Sequence, residues 1–263
     1  MTKLSASAYS ASDPHAAVER AGRLCLGAQD VHVWLCLRSR VADSDTFKRQ
    51  VLSRYAGVAP ADWEFSRGEK GKPYLTDPGH ALDFNLSHSG DWLACAVTSG
   101  VPVGVDIEQC NPQRNPPRDV MTLARRFFRA EEVAALASCG PVQQRDRFYD
   151  LWTLKESAVK ARGGVLVSGL DSRGFSVVSS SDPASGCGRI ALTTPDDTDT
   201  AHYCLLHMQP EYRLALCWLP AAPLLPRVQV LELCDGGVTR TCHEPLRASS
   251  WSEQRASVPP DSC

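Results

Sequence analysis

Hydrophobic and polar positions along the chain follow two different periods, and each change of period marks an element. Residues 31–37, VHVWLCL, read as a strand, because β-branched and aromatic side chains suit a pleated surface. Residues 46–56 carry helical spacing. The turn-rich RGEKGKP at 67–73 leads to FNLSHSG at 84–90, read as a strand end entering a small polar turn. WLACAVTS at 92–99 follows as a strand apolar on both faces. VGVDIE at 103–108 forms the next strand. The prolines of NPQRNPPR at 111–118 cannot continue a helix or a central strand, so that segment is a connector. Helical spacing returns over 119–137 and over 145–162, and the second run stops at Gly163-Gly164, where glycine tolerates a left-handed cap. Strands are expected at 173–179, 188–193, 202–208 and 212–219.

This order predicts an α+β fold of two similar α/β halves meeting near residue 104. The expected divisions are a loose leader over 1–30, an N-terminal half over 31–103 and a C-terminal half over 104–226. Prolines at 220, 223 and 226 precede a polar stretch without a sustained period, so 227–263 reads as a poorly structured tail.

Composition narrows the classes. With 43% hydrophobic and 22% charged residues, the chain has enough apolar material for one or two sizeable cores, which excludes disorder as the whole answer. A formal net charge of -2 argues against a protein built to grip nucleic-acid backbone. None of the 11 cysteines forms a CxxC pair, and Cys36, Cys95, Cys204 and Cys217 lie in apolar runs. Reduced core thiols are expected, and neither a disulfide framework nor a cysteine zinc site. The N-terminus has no apolar core for a secretory signal and no run is long enough to span a membrane, so a cytoplasmic location is expected, with no membrane partner. A monomer is expected as well.

Candidate chemistry sits in VGVDIE. Strand geometry turns Val103, Val105 and Ile107 to one face and Gly104, Asp106 and Glu108 to the other, so two carboxylates stand side by side. Like charges that close need a cation, a basic side chain or open water between them, and a hard cation such as Mg²⁺ meets that need. A solvated acidic face meets it as well. In FYDLWTLKESAVKARGG, Trp152, Glu156 and Lys160 share a helical stripe. Glu156 and Lys160 can form a surface ion pair, or Glu156 can add a third carboxylate with lysines nearby for phosphates. The serines, His88 and backbone amides of FNLSHSG can surround an anion, and Lys72 in GEKGKP is either a further phosphate contact or simply solvated.

Taken in order, GKP at 71–73, FNLSHSG, VGVDIE, FFRAEE at 127–132 and WTLKESAVK at 152–160 resemble the 4'-phosphopantetheinyl transferase superfamily, closest to its broad-specificity, surfactin-synthetase-activating type. The resemblance implies a pseudo-twofold pair of halves with the active site at their junction. It implies transfer of the 4'-phosphopantetheine arm of coenzyme A to a serine of an apo acyl, aryl or peptidyl carrier protein, releasing 3',5'-ADP. Asp106, Glu108 and Glu156 would hold Mg²⁺, and Glu156 or a metal-bound water would take the serine proton. Lys72, Ser87, His88, Lys155 and Lys160 would touch the phosphates or orient the acids, Glu132 would be a subsidiary acid near the site, and Trp152 would pack behind the helix. Two stretches depart from the pattern: the short VADSDT, where relatives carry a longer basic segment, and Val165, where many have glycine. Arg38, Arg40, Lys48, Arg49 and Arg54 are the bases available as substitutes. The competing readings are an impaired paralogue that binds carrier protein and a metal-dependent nucleotide phosphohydrolase.

Overall fold

Two β-sheets face each other in a computed structural model of the chain, which describes residues 19–20, 23–69, 71–110, 119–164, 170, 173–178, 188–193, 200–208, 211–221, 224–234, 239–241 and 247–249. Short hairpins join β1 (Glu19–Arg20) to β2 (Arg23–Leu24) and β4 (Phe65–Arg67) to β5 (Pro73–Leu75). The first large sheet contains β3 (Asp30–Leu37), β6 (Asp83–Ser89), β7 (Trp92–Thr98), β13 (Arg227–Leu233) and β14 (Thr239–Thr241), ordered β14-β13-β3-β7-β6. The second contains β8 (Val103–Gln109), β9 (Phe175–Val178), β10 (Gly188–Leu192), β11 (His202–Met208), β12 (Tyr212–Trp218) and β15 (Arg247–Ser249), ordered β8-β12-β11-β15-β10-β9.

The two-residue period of the strands builds three apolar layers. Val31, Val33, Leu35, Ala94 and Ala96 of the first sheet meet Val103, Val105, Ile107, Leu214, Leu216 and Trp218 of the second. The alternate residues Trp34, Cys36, Cys95 and Val97 pack on Phe47, Val51 and Leu52 of α1 (Ser44–Leu52). On the outer face of the second sheet, Leu205, Ala215 and Cys217 pack with helices α2 (Val120–Phe127), α3 (Ala130–Ala137) and α4 (Pro141–Ala161), through Ala124, Leu136, Leu151, Leu154 and Ala158. The fold is therefore mixed α+β, with one helical layer outside each sheet. Cys36, Cys95, Cys204 and Cys217 are buried, as expected of core thiols. Among the described residues, no helix is long and apolar enough to cross a membrane.

Several boundaries shift for identifiable reasons. Asp43 accepts a hydrogen bond from the Thr46 amide, so α1 begins earlier than its apolar spacing implies. The helical run over 119–137 is two helices. Asp119 caps α2, and the Glu132 side chain accepts from the Arg129 amide to open α3. α4 ends as its glycines predict: Gly163 has φ +64, its amide donates to Lys160 O, and the Gly164 amide donates to Val159 O at 2.9 Å. FNLSHSG does not enter a turn at its serines. β6 runs through Ser89, and Gly90, at φ +54, makes the turn.

The tail needs a larger correction. Residues 227–233 form β13, which runs parallel to β3 and buries Leu231 and Leu233 in the core beneath α1. Arg227 pairs with Asp30 at 2.8 Å and Glu232 with Arg40 at 2.8 Å. In RVQVLEL, neighbouring residues on both faces are partly apolar, which hid the strand period. The leader is not loose throughout either, because Leu24 is buried against the same core and its amide donates to Arg54 O. The connector at 111–118 and Val165 lie outside the described residues.

Candidate active site

Gly104 explains how helix and strand meet. A Cβ there would lie 2.1 Å from Ser157 O and 2.4 Å from Ala161 N, so α4 crosses β8 backbone to backbone. Only glycine permits that approach. The crossing sets the Asp106 and Glu108 face of β8 under the helical stripe that carries Glu156 and Lys160. Further along α4, Arg213 of β12 donates to Asp150 at 2.7 Å and to Asp146 at 3.2 Å, and His207 Nε2 lies 3.1 Å from Asp150. Burial works to raise the Asp150 carboxyl, but His207 and Arg213 together outweigh it and hold the group below its usual range.

On its free edge, β8 meets β6, and the two sheets are stitched there by side chains. The amides of Val103, Val105, Ile107 and Gln109 donate to Asp83 Oδ1 (3.2 Å), Asn85 Oδ1 (2.9 Å), Ser87 Oγ (3.3 Å) and Ser89 Oγ (3.0 Å). Each acceptor lies 20 residues before its donor, so both strands run in the same direction and alternate residues of β6 satisfy alternate amides of β8. The two serines also donate to the acids, Ser87 to Asp106 Oδ1 at 2.8 Å and Ser89 to Glu108 Oε2 at 3.0 Å. Lys160 Nζ reaches down from α4 to Asp106 Oδ1 at 2.6 Å and Ser87 Oγ at 3.1 Å.

The other oxygen of Asp106, Oδ2, is buried and has no hydrogen-bond partner among the described residues. Burial pushes the Asp106 carboxyl above its usual range against the pull of Lys160. Burial, and then the charge of Asp106, raises Glu156 to about 8 and Glu108 to about 7. Among the described residues, no group of three carboxylate, imidazole or thiol side chains is already gathered as a metal cage. Even so, a bare buried carboxylate oxygen beside two acids whose proton affinity is raised is an all-oxygen donor set short of positive charge. Such a set fits a hard divalent cation. Trp152 packs against the helical core, as expected, and stacks on Phe148 at 5.6 Å.

The structure brings Asp106, Glu108, Glu156, Lys160 and Ser87 together and places the other expected residues away from the acids. Ser87 has one proton and two lone pairs, and Asp106, Ile107 N and Lys160 use all of them, which leaves nothing for a phosphate. Strand alternation turns exposed His88 to the opposite face of β6 from Ser87 and Ser89. Lys72 Nζ donates to Asp83 Oδ1 at 3.0 Å and Val103 O at 3.2 Å, fastening the far end of the seam. Lys155 is 1% exposed and binds Glu132 at 2.8 Å along with Leu170 O and Arg173 O. Glu132, expected as a subsidiary acid, is therefore a structural partner. Of the bases near VADSDT, Lys48 and Arg49 pair with Asp45 and Arg40 with Glu232. Asp83 and Asn85 were not expected, and Ser89 was expected only as an anion contact, although small polar acceptors at period two in DFNLSHS were the available signal.

Residues 102–217 match the family model described as the 4'-phosphopantetheinyl transferase superfamily, and residues 30–100 match the one described as the N-terminal region of 4'-phosphopantetheinyl transferase. A 4'-phosphopantetheinyl transferase of Bacillus subtilis is 35% identical over 207 residues, covering 79% of this chain and 81% of its own. 4'-Phosphopantetheinyl transferase Sfp of Bacillus subtilis (strain 168) is 36% identical over 173 residues, 66% of this chain and 70% of its own. 4'-Phosphopantetheinyl transferase AcpT of Salmonella typhimurium is 40% identical over 116 residues, 44% of this chain and 56% of its own.

Proposed function

The chain belongs to the 4'-phosphopantetheinyl transferase superfamily, and from that premise we propose that it moves the 4'-phosphopantetheine group of coenzyme A onto a serine of an apo carrier protein, with 3',5'-ADP as the other product. The observation that carries the reading is the partnerless buried oxygen of Asp106 beside Glu108 and Glu156. Asp106, Glu108 and Glu156 would hold Mg²⁺, which when bound supplies positive charge against the pyrophosphate of the leaving group.

The chain's own residues account for the rest. In the transfer, the carrier serine oxygen bonds to the β-phosphorus and the bond from that phosphorus to the bridging oxygen breaks. Glu156, in its deprotonated form, would accept the serine proton. Lys160 is the lysine beside the acids with part of its side chain still open to solvent, and it offers its ammonium group to the phosphates. Ser87 steadies both Lys160 and Asp106 while this happens.

Intact-protein mass spectrometry of several apo acyl and peptidyl carriers, incubated with the protein, coenzyme A and Mg²⁺, tests the reading. The expected result is the added mass of phosphopantetheine, lost with chelator. Carriers that bind yet gain no mass would support the impaired-paralogue reading, which the engagement of Arg40, Lys48 and Arg49 in protein contacts favours. Production of 3',5'-ADP without any carrier would point instead to hydrolysis.

A further inference from the structure

The seam between β6 and β8 contains the same arrangement twice. Ser87 accepts from the Ile107 amide and donates to Asp106, the residue just before that amide. Two residues on, Ser89 accepts from the Gln109 amide and donates to Glu108, again the residue just before it. A serine that is anchored by a backbone donor has its proton aimed, because accepting from one side fixes where the hydroxyl hydrogen can point. Asp83 and Asn85 accept the same kind of amide hydrogen bond, but no carboxylate of β8 hangs beside them. The seam thus has two positions that only stitch and two that stitch and also grip an acid.

We infer that Ser89 is a positioning residue for the metal site, holding the Glu108 carboxylate in the orientation in which it ligates a divalent cation. The inference rests on the metal reading above. In this account the N-terminal half supplies no metal ligand, yet it orients both strand acids of the C-terminal half. Ser87 orients Asp106 together with Lys160, whereas Ser89 alone on β6 grips Glu108. Losing a hydrogen bond of this kind to a ligand typically weakens metal affinity by about 10- to 100-fold.

The test is titration of the purified full chain with Mn²⁺, followed by electron paramagnetic resonance, together with thermal melting. Ser89→Ala should weaken Mn²⁺ binding by about 10-fold, and Ser89→Thr, which keeps the hydroxyl, should restore affinity close to that of the unmodified chain. Asn85→Ala removes an amide acceptor without touching an acid, so it should lower the melting temperature and leave Mn²⁺ affinity unchanged. Equal Mn²⁺ affinity in Ser89→Ala and the unmodified chain would overturn the inference. So would equal weakening in Ser89→Ala and Asn85→Ala, which would reduce Ser89 to a stitch. If Asn85→Ala does not fold, the contrast between Ser89→Ala and Ser89→Thr decides alone. An unmodified chain that binds no Mn²⁺ would instead remove the metal reading itself.

Discussion

α4 carries Lys155 and Lys160, and each meets a buried carboxylate, but the two pairs are built in opposite ways. Around Lys155 every group has a partner. Glu132 accepts from the Arg129 amide, the Phe175 amide and Lys155, and Lys155 also donates to Leu170 O and Arg173 O. Around Lys160, Asp106 Oδ2 has no partner among the described residues, and Glu108 and Glu156 add to the unmet demand for positive charge. A saturated network holds α3, α4 and the start of β9 in one arrangement and has no capacity left for a ligand. An unsaturated one costs stability, which is the signature of a site that waits for something to bind. The motif WTLKESAVK therefore sets a fastener and a lysine of an unsaturated cluster five positions apart.

The sharpest way to break this contrast is Lys155→Ala. Removing one partner of a buried, hydrogen-bonded ion pair leaves a buried charge uncompensated, so unfolding in urea should show a loss of about 3–5 kcal/mol. Transfer per folded molecule should persist. A variant as stable as the parent that has lost transfer would reverse the roles of the two lysines.

Glu156→Gln probes the unsaturated side through pH. The folded protein raises this carboxyl from 4.5 to about 8, so between those values the native state holds the proton more tightly than the unfolded chain. Stability attributable to Glu156 is therefore highest below the unfolded value and declines as pH rises through about 8. Without metal, Glu156→Gln should gain on the unmodified chain as pH rises from 5 to 9, and Mg²⁺ should protect only the unmodified chain at the alkaline end. A difference in melting temperature that does not move with pH would mean that Glu156 is not held in this environment.

The smallest effect belongs to Lys72→Met. Its partners, Asp83 and the Val103 carbonyl, lie at a partly open end of the seam, so the loss should be about 0.5–1 kcal/mol. The KM for coenzyme A should not change. A rise of about 10-fold or more, ~1.4 kcal/mol, would return Lys72 to the phosphates.

Much of this was legible in the chain itself. Alternation in VGVDIE put Asp106 and Glu108 on one face, and the stripe of α4 added Glu156 and Lys160, all of which the fold brings together. Partner choice was not legible. Nothing local distinguishes Lys155 from Lys160, because the acceptors of Lys155 come from Glu132, Leu170 and Arg173, each brought in by a different part of the fold. The seam escaped for the same reason: DFNLSHS looks like a polar turn until β8 presents a row of amides beside it. β13 escaped because its pairing partner, β3, lies almost 200 residues earlier, and strand pairing over such separations leaves only a weak local trace.

The most direct measurement is made on Asp106→Asn. Asparagine keeps an oxygen for Ser87 and Lys160 but removes the charge, so the variant should remain folded, which thermal melting without metal checks. Intact-mass kinetics on an apo carrier with coenzyme A and Mg²⁺ should show phosphopantetheine transfer slowed by about 10²–10³-fold or more. Transfer at the unmodified rate by this folded variant would contradict the claim that the Asp106 carboxylate of β8 is where the chemistry is organised.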